Sequence, residues 1–172
     1  MSTVILEENV NAKSVAEFLA ANKLNFSDAG GVFNLRFAAA SVLVDISIFT
    51  GSGYISFHAR LPNIVSQEKH ADVLVLLNAI SRTLAVGSFE IQKGLSVVDF
   101  KTGFTALNTT VSSELLKQSF DCCIFHVNVC YGVISELVSG GISLEEAITW
   151  SDADWNKKPP LKFDKQIQMF AQ

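Results

Sequence analysis

The stretch Val111–Ser139, VSSELLKQSFDCCIFHVNVCYGVISELVS, decides the fold. In its middle, Phe125, Val127, Val129, Tyr131 and Val133 alternate with His126, Asn128, Cys130 and Gly132, which is the period of a strand. Its flanks have the opposite character. Glu114, Leu115, Leu116, Lys117 and Gln118 are good helix formers, and Ser135-Glu136-Leu137-Val138 resumes helical spacing before Gly140-Gly141. We read one long helix over 111–139, apolar almost all round in its middle and therefore buried. A strand between two short helices is the alternative.

Upstream, the periodicities alternate in a fixed order. Residues 11–22 read as an amphipathic helix, with Val15, Phe18 and Leu19 at helical spacing. Ser27-Asp28-Ala29-Gly30-Gly31 is turn chemistry. Phe33, Leu35 and Phe37 then alternate with Asn34 and Arg36 as a strand with one buried face. A second strand over 42–49 puts Val42, Val44, Ile46 and Ile48 on one side and Leu43, Asp45, Ser47 and Phe49 on the other. The Gly-bearing loop after Phe49 is a hairpin signal, and the returning strand, 54–61, buries Ile55, Phe57, Ala59 and Leu61 before Pro62 stops it. Ser66 is the expected cap of a helix to about 85, whose stripe is Val73, Leu76, Leu77, Ile80 and Leu84, with Gly87 as its end. Strands at 88–92 and 97–106 follow.

Downstream, Ser143-Leu144-Glu145-Glu146 is a capping box that opens a last helix. After Trp150, Asp152, Asp154, Lys157, Lys158, Pro159 and Pro160 form a polar, stiff connector. The tail holds Leu161, Phe163, Ile167, Met169 and Phe170, and we expect it to dock on the body. The fold class is thus α+β: an antiparallel five-stranded sheet with helices on one face, in the order α-β-β-β-α-β-β-α-α. Residues 1–150 form one domain, and 151–172 form the connector and tail.

The chain is 49% hydrophobic and 17% charged over 172 residues, with mean hydropathy +0.32. That is apolar for a soluble protein, and it implies either a generous core or a surface hidden against a partner. A net charge of −4 supplies no basic field for nucleic acid. No apolar run is read as reaching the roughly 18 residues of a membrane span. The N-terminus carries two glutamates and no basic region, so it does not read as a signal peptide. The three cysteines read best as thiols of a reducing compartment, and a cytoplasmic protein is expected.

Ser88–Leu107, the long helix, and the tract Val138-Ser139-Gly140-Gly141-Ile142-Ser143-Leu144-Glu145-Glu146-Ala147 resemble the C-terminal part of YbjN-type domains. These are bacterial domains described as candidate sensory transduction regulators, and they share the fold of type III secretion chaperones. The resemblance covers 11–150 in architecture and is most specific over 88–148. It implies a curved antiparallel sheet with helices packed on it, frequent homodimerisation, and no known catalysis. The secretion chaperones bind extended segments of client proteins. No client-binding motif carries over residue by residue, so that function is an analogy.

No catalytic signature stands out. Cys123, His126 and Cys130 fall within one arc of the long helix, and thiolate and imidazole are metal ligands. Residues seven apart lie roughly 10 Å apart along a helix axis, too far to share one ion. Only Cys122/His126 or His126/Cys130, at i and i+4, have chelating spacing, and buried structural thiols are the simpler reading. His58, His70 and His126 lie on separate elements, outside any hydrolase or metalloprotease frame. No cofactor is expected. On the outward sheet face Leu43, Phe49 and Tyr54 depart from a mixed-charge pattern and form the candidate contact patch. The expected function is a non-catalytic, chaperone-like or regulatory protein-interaction module, homodimeric, with no nucleic acid or membrane partner. The alternative is a small-ligand binder or enzyme whose site forms only in three dimensions, recognisable by a deep pocket with perturbed ionisable groups.

Overall fold

Ser112 is extended, and its hydroxyl accepts the Leu115 amide at 3.2 Å; from Ser113 to Ser139 the backbone is helical without a break. Gly140 then adopts φ +80°, a left-handed conformation open to glycine at little steric cost, and closes the helix. One long helix therefore replaces the alternation that period alone suggested. This computed structural model describes residues 10–152 except 40, 41, 52, 93, 108 and 109. The expected docking of the tail lies outside the described residues.

The element order is α1 (Val10–Ala21), β1 (Ser27–Asp28), β2 (Val32–Ala39), β3 (Val42–Thr50), β4 (Tyr54–Ile64), α2 (His70–Thr83), β5 (Ser88–Gln92), β6 (Val97–Thr105), α3 (Ser113–Ser139) and α4 (Leu144–Asp152). All strands pair antiparallel in the order β1-β2-β3-β4-β6-β5. Among the described residues the sheet is six-stranded, not five. The extra strand is Ser27–Asp28, which pairs with Asn34 and Phe33 while the Asp28 carboxylate accepts the Gly31 amide at 3.0 Å. A two-residue strand leaves no alternation to read.

The inward rows are Phe33, Leu35 and Phe37; Val44, Ile46 and Ile48; and Ile55, Phe57, Ala59 and Leu61, all buried against the helix layer with Val98 and Phe100. α3 packs on β4 and β6, and α2 packs on β5 and α4. Phe120 of α3 meets Phe18 of α1 and Phe37 of β2 edge-on, at 6.2 and 5.5 Å between centroids.

Four local expectations are corrected. Pro62 does not stop β4, which continues to Ile64 through a register shift between Arg60 and Ile64. β3 pairing ends at Arg60, so proline's missing donor falls where no β3 partner waits. Ser66 is not a helix cap: its carbonyl takes the Lys69 amide in a turn, and α2 starts at His70 with no side-chain cap. α2 ends at Thr83, before Gly87, whose φ of +79° belongs to the turn into β5. A Cβ at Gly87 would also come within 2.6 Å of the Lys101 carbonyl. α4 reaches Asp152, so the helix takes in the first two residues of the expected connector.

Candidate functional site

The outward face of the sheet carries charge in a row. In register across five strands stand Arg36, Asp45, Arg60, Asp99 and Glu90. Neighbours of opposite sign bond: Arg36 Nε to Asp45 at 2.8 Å, and Arg60 Nε to Asp99 at 3.2 Å. Arg60 also donates to Gln92, and Lys101 pairs with Glu90. Asp99 stands in this outward row, yet its side chain is 3% exposed, and it bonds the Arg60 guanidinium. These charges satisfy one another rather than converging on a reactive centre.

Leu43, Phe49 and Tyr54 do not form one patch. Leu43 and Tyr54 are each 50% exposed. Leu43 lies six residues from Phe49 along β3, roughly 20 Å in a strand. Phe49 is opposite Ser56, which makes Tyr54 its diagonal neighbour, and its ring meets His58 at 4.5 Å. The Tyr54 ring lies against Gly51, which gives that tyrosine a structural role in the hairpin. Between β4 and β6, Tyr54, Ser56, His58, Lys101 and Thr105 line a shallow groove of about 430 Å³. Partial burial holds the His58 imidazole below its ordinary pKa, and the Lys101 cation pushes the same way.

The cysteine and histidine side chains of α3 behave as structural groups. His126 Nδ1 is 2.8 Å from the Cys122 carbonyl, which can only accept, so the ring proton belongs on Nδ1. Cys122 Sγ lies 3.4 Å from that nitrogen. Burial pushes the Cys122 thiol up, and pushes the Cys123 thiol up further, so both stay protonated near neutrality and are poor ligands or nucleophiles. Among the described residues no group of three or more His, Cys, Asp or Glu converges as a metal site.

The second surface was not anticipated. α3 buries Cys123, Ile124, Val127, Cys130, Ile134 and Leu137 on one side. On the other, Cys122, Phe125, Val129 and Gly132 follow each other at i+3 and i+4 spacing. Phe125 is 38% exposed, Gly132 is exposed, and Cys122 and Val129 are half-buried. No Asp, Glu, Lys or Arg stands between Asp121 and Glu136. The expectation that the middle of this helix is buried is therefore wrong in part: it is uncharged all round and covered on one side. By length and composition α3 could span a bilayer, with mean hydropathy 1.5 over 18 residues, of which 39% are buried. Its packing on the sheet explains the buried part alone. Two signals in the sequence mark the uncovered part, the long gap between charged residues and a glycine in mid-helix.

No known family profile and no curated protein matches this chain. Among solved structures, the crystal structure of YbjN from E. coli, described as a candidate transcription regulator, is similar over 67% of this chain and 90% of its own length. The TM-score is 0.50 and the sequence identity 16%. The fold is YbjN-like. At that identity the likeness concerns the fold, which agrees with the resemblance read from Ser88 onward.

Proposed function

We propose that this chain is a non-catalytic protein-interaction module, and that the uncovered face of α3 is the surface it offers a partner. The observation that carries the reading is the exposure of Phe125 and, two turns on, of Gly132 on a helix with no charged side chain between Asp121 and Glu136. An amphipathic core helix normally turns polar residues to solvent. Here the solvent side is apolar, and such faces bind other proteins. The self-paired charges of the sheet face support a structural role for that side. A regulatory or chaperone-like role is the form of this reading that the YbjN-like fold favours. Three cysteine thiols, two of them buried, fit a reducing compartment such as the cytoplasm.

The test is affinity capture from native lysate, comparing the chain with Phe125→Asp. The reading expects at least one captured protein to be lost on substitution while the circular dichroism spectrum is retained. A second copy of the chain is the first partner to examine, by mass at rising concentration. A second reading, a small-ligand binder, has the groove beside His58 and Lys101 in its favour. A rise in Tm with an anionic ligand that is abolished by Lys101→Ala would support it.

A further inference from the structure

On the outward face, β4 and β6 run side by side with Tyr54 opposite Thr105, Ser56 opposite Gly103 and His58 opposite Lys101. Gly103 breaks this file of side chains in mid-strand. Its φ is not positive, so conformational freedom is not the reason for it. Close approach is the reason: a Cβ there would come within 2.6 Å of the Ile55 carbonyl and 2.9 Å of the Ser56 Cα. The position takes no side chain, and the groove of about 430 Å³ opens over the gap.

Three polar groups stand around that gap. Ser56 faces it directly, and His58 and Lys101 form the next cross-strand pair, roughly 7 Å along the strands and within reach of a lysine side chain. Lys101 already takes an oxyanion, because its Nζ pairs with the Glu90 carboxylate of β5. The two side chains of that pair are 34% and 44% exposed, so the pair contributes little and can exchange. Glu90 thus shows which chemistry Lys101 accepts and supplies a competitor for it. The His58 ring is placed by Phe49, and its Nε2 lies 3.3 Å from the Ser56 Oγ.

We propose that the corner formed by Ser56, His58 and Lys101 beside Gly103 binds a phosphate group, with the groove toward Tyr54 and Thr105 open to the rest of a small phosphorylated ligand. This rests on the small-ligand reading of that groove and names its ligand. A phosphate offers four tetrahedral oxygens to donors that converge from two strands, where a carboxylate offers two in one plane. The charged groups acting on His58 are Lys101 and Asp99 of β6, Glu90 of β5 and Arg60 of β4, while β3 brings Ser47 and Phe49. An anion beside Lys101 offsets the cation that disfavours the imidazolium, so binding is coupled to proton uptake.

The test is titration of the ¹⁵N-labelled chain with inorganic phosphate at constant ionic strength, read from amide shifts. The amides of Ser56, Lys101 and Gly103 are expected to shift and saturate. Lys101→Ala should weaken binding about tenfold or more. Glu90→Gln should tighten it about twofold to fivefold, a gain that a merely structural Lys101 would not give. Sulfate has the same shape and a charge fixed in this range. It should bind more tightly as pH is lowered below 6.5, and the rise should vanish in His58→Gln. Shifts that fail to saturate, or that chloride reproduces at the same ionic strength, would overturn the proposal. So would saturation that Lys101→Ala or Glu90→Gln leaves unchanged. If acetate saturates these amides and phosphate does not, the groove is still a ligand site and the phosphate assignment falls. The α3 face is read separately, by capture with Phe125→Asp.

Discussion

The imidazole of His126 on α3 lies nearly parallel to the ring of Phe100 on β6, with centroids 5.0 Å apart and planes 25° from each other. Helix and sheet thus meet through a titratable group. Burial lowers its pKa, and the bond to the Cys122 carbonyl opposes that only in part. The folded state therefore prefers the neutral ring. Above the unfolded value of about 6.5 both states are neutral and the contribution is intact. As pH falls below 6.5, the unfolded chain takes up a proton that the folded chain resists, and stability is lost. We expect the urea midpoint to fall as pH is lowered below 6.5, and to fall less in His126→Gln. Some dependence should persist in that variant, since the His58 pKa is lowered too. Equal slopes in both proteins would remove His126 from the account.

Asn11 ties the first helix to two distant turns. Its Nδ2 donates to the Gly51 carbonyl at 2.8 Å and to the Ala106 carbonyl at 3.1 Å, and the residue is 3% exposed. Asn11→Ala should cost about 1–3 kcal/mol in urea denaturation, because two acceptors lose their donor. Asn11→Asp should cost more, since it turns an acceptor toward two carbonyls.

At the start of α4 the Ser143 hydroxyl accepts the Glu146 amide at 3.3 Å, and Glu146 Oε2 takes the Ser143 amide at 2.8 Å. The backbone bond, helped by the Ser143 hydroxyl, holds the Glu146 carboxyl below its usual range. Ser143→Ala should lower stability by about 1 kcal/mol with an unchanged denaturant slope. An unmoved midpoint would mean that the cap contributes nothing.

Gly132 is the cheapest probe of the open face. A Cβ built there meets nothing within 4 Å. Gly132→Ala should therefore stabilise the chain by about 0.8–1 kcal/mol, the helix-propensity difference. If a partner helix approaches closely at this point, the same methyl should weaken that binding. A loss of stability would mean that the face is already covered tightly.

Much of the fold was legible because the inward rows of β2, β3 and β4 alternate cleanly against a polar outward face. The long helix was legible from its flanks, since Glu114 to Gln118 and the Gly140 stop have helical meaning independent of the ambiguous middle. That middle is ambiguous because Phe125 and Val129, which suggest a strand face, are apolar residues on the uncovered side of the helix. Periodicity assumes that exposed positions are polar, and an interaction surface breaks the assumption. Ser27–Asp28 was too short to show a period. Asp99 is buried and bonds Arg60, 39 residues away, a contact that no local pattern reports. The candidate patch has a similar limit: alternation assigns Leu43, Phe49 and Tyr54 to one face and says nothing of the roughly 20 Å between Leu43 and Phe49 along it.

The central claim, that the uncovered face of α3 binds a protein, is tested most directly by quantitative affinity capture with the unaltered chain, Phe125→Asp, and Leu43→Asp as a control on the opposite side of the sheet. The account predicts that Phe125→Asp loses captured protein that Leu43→Asp retains, with both variants folded. Identical captured sets for all three chains would contradict it.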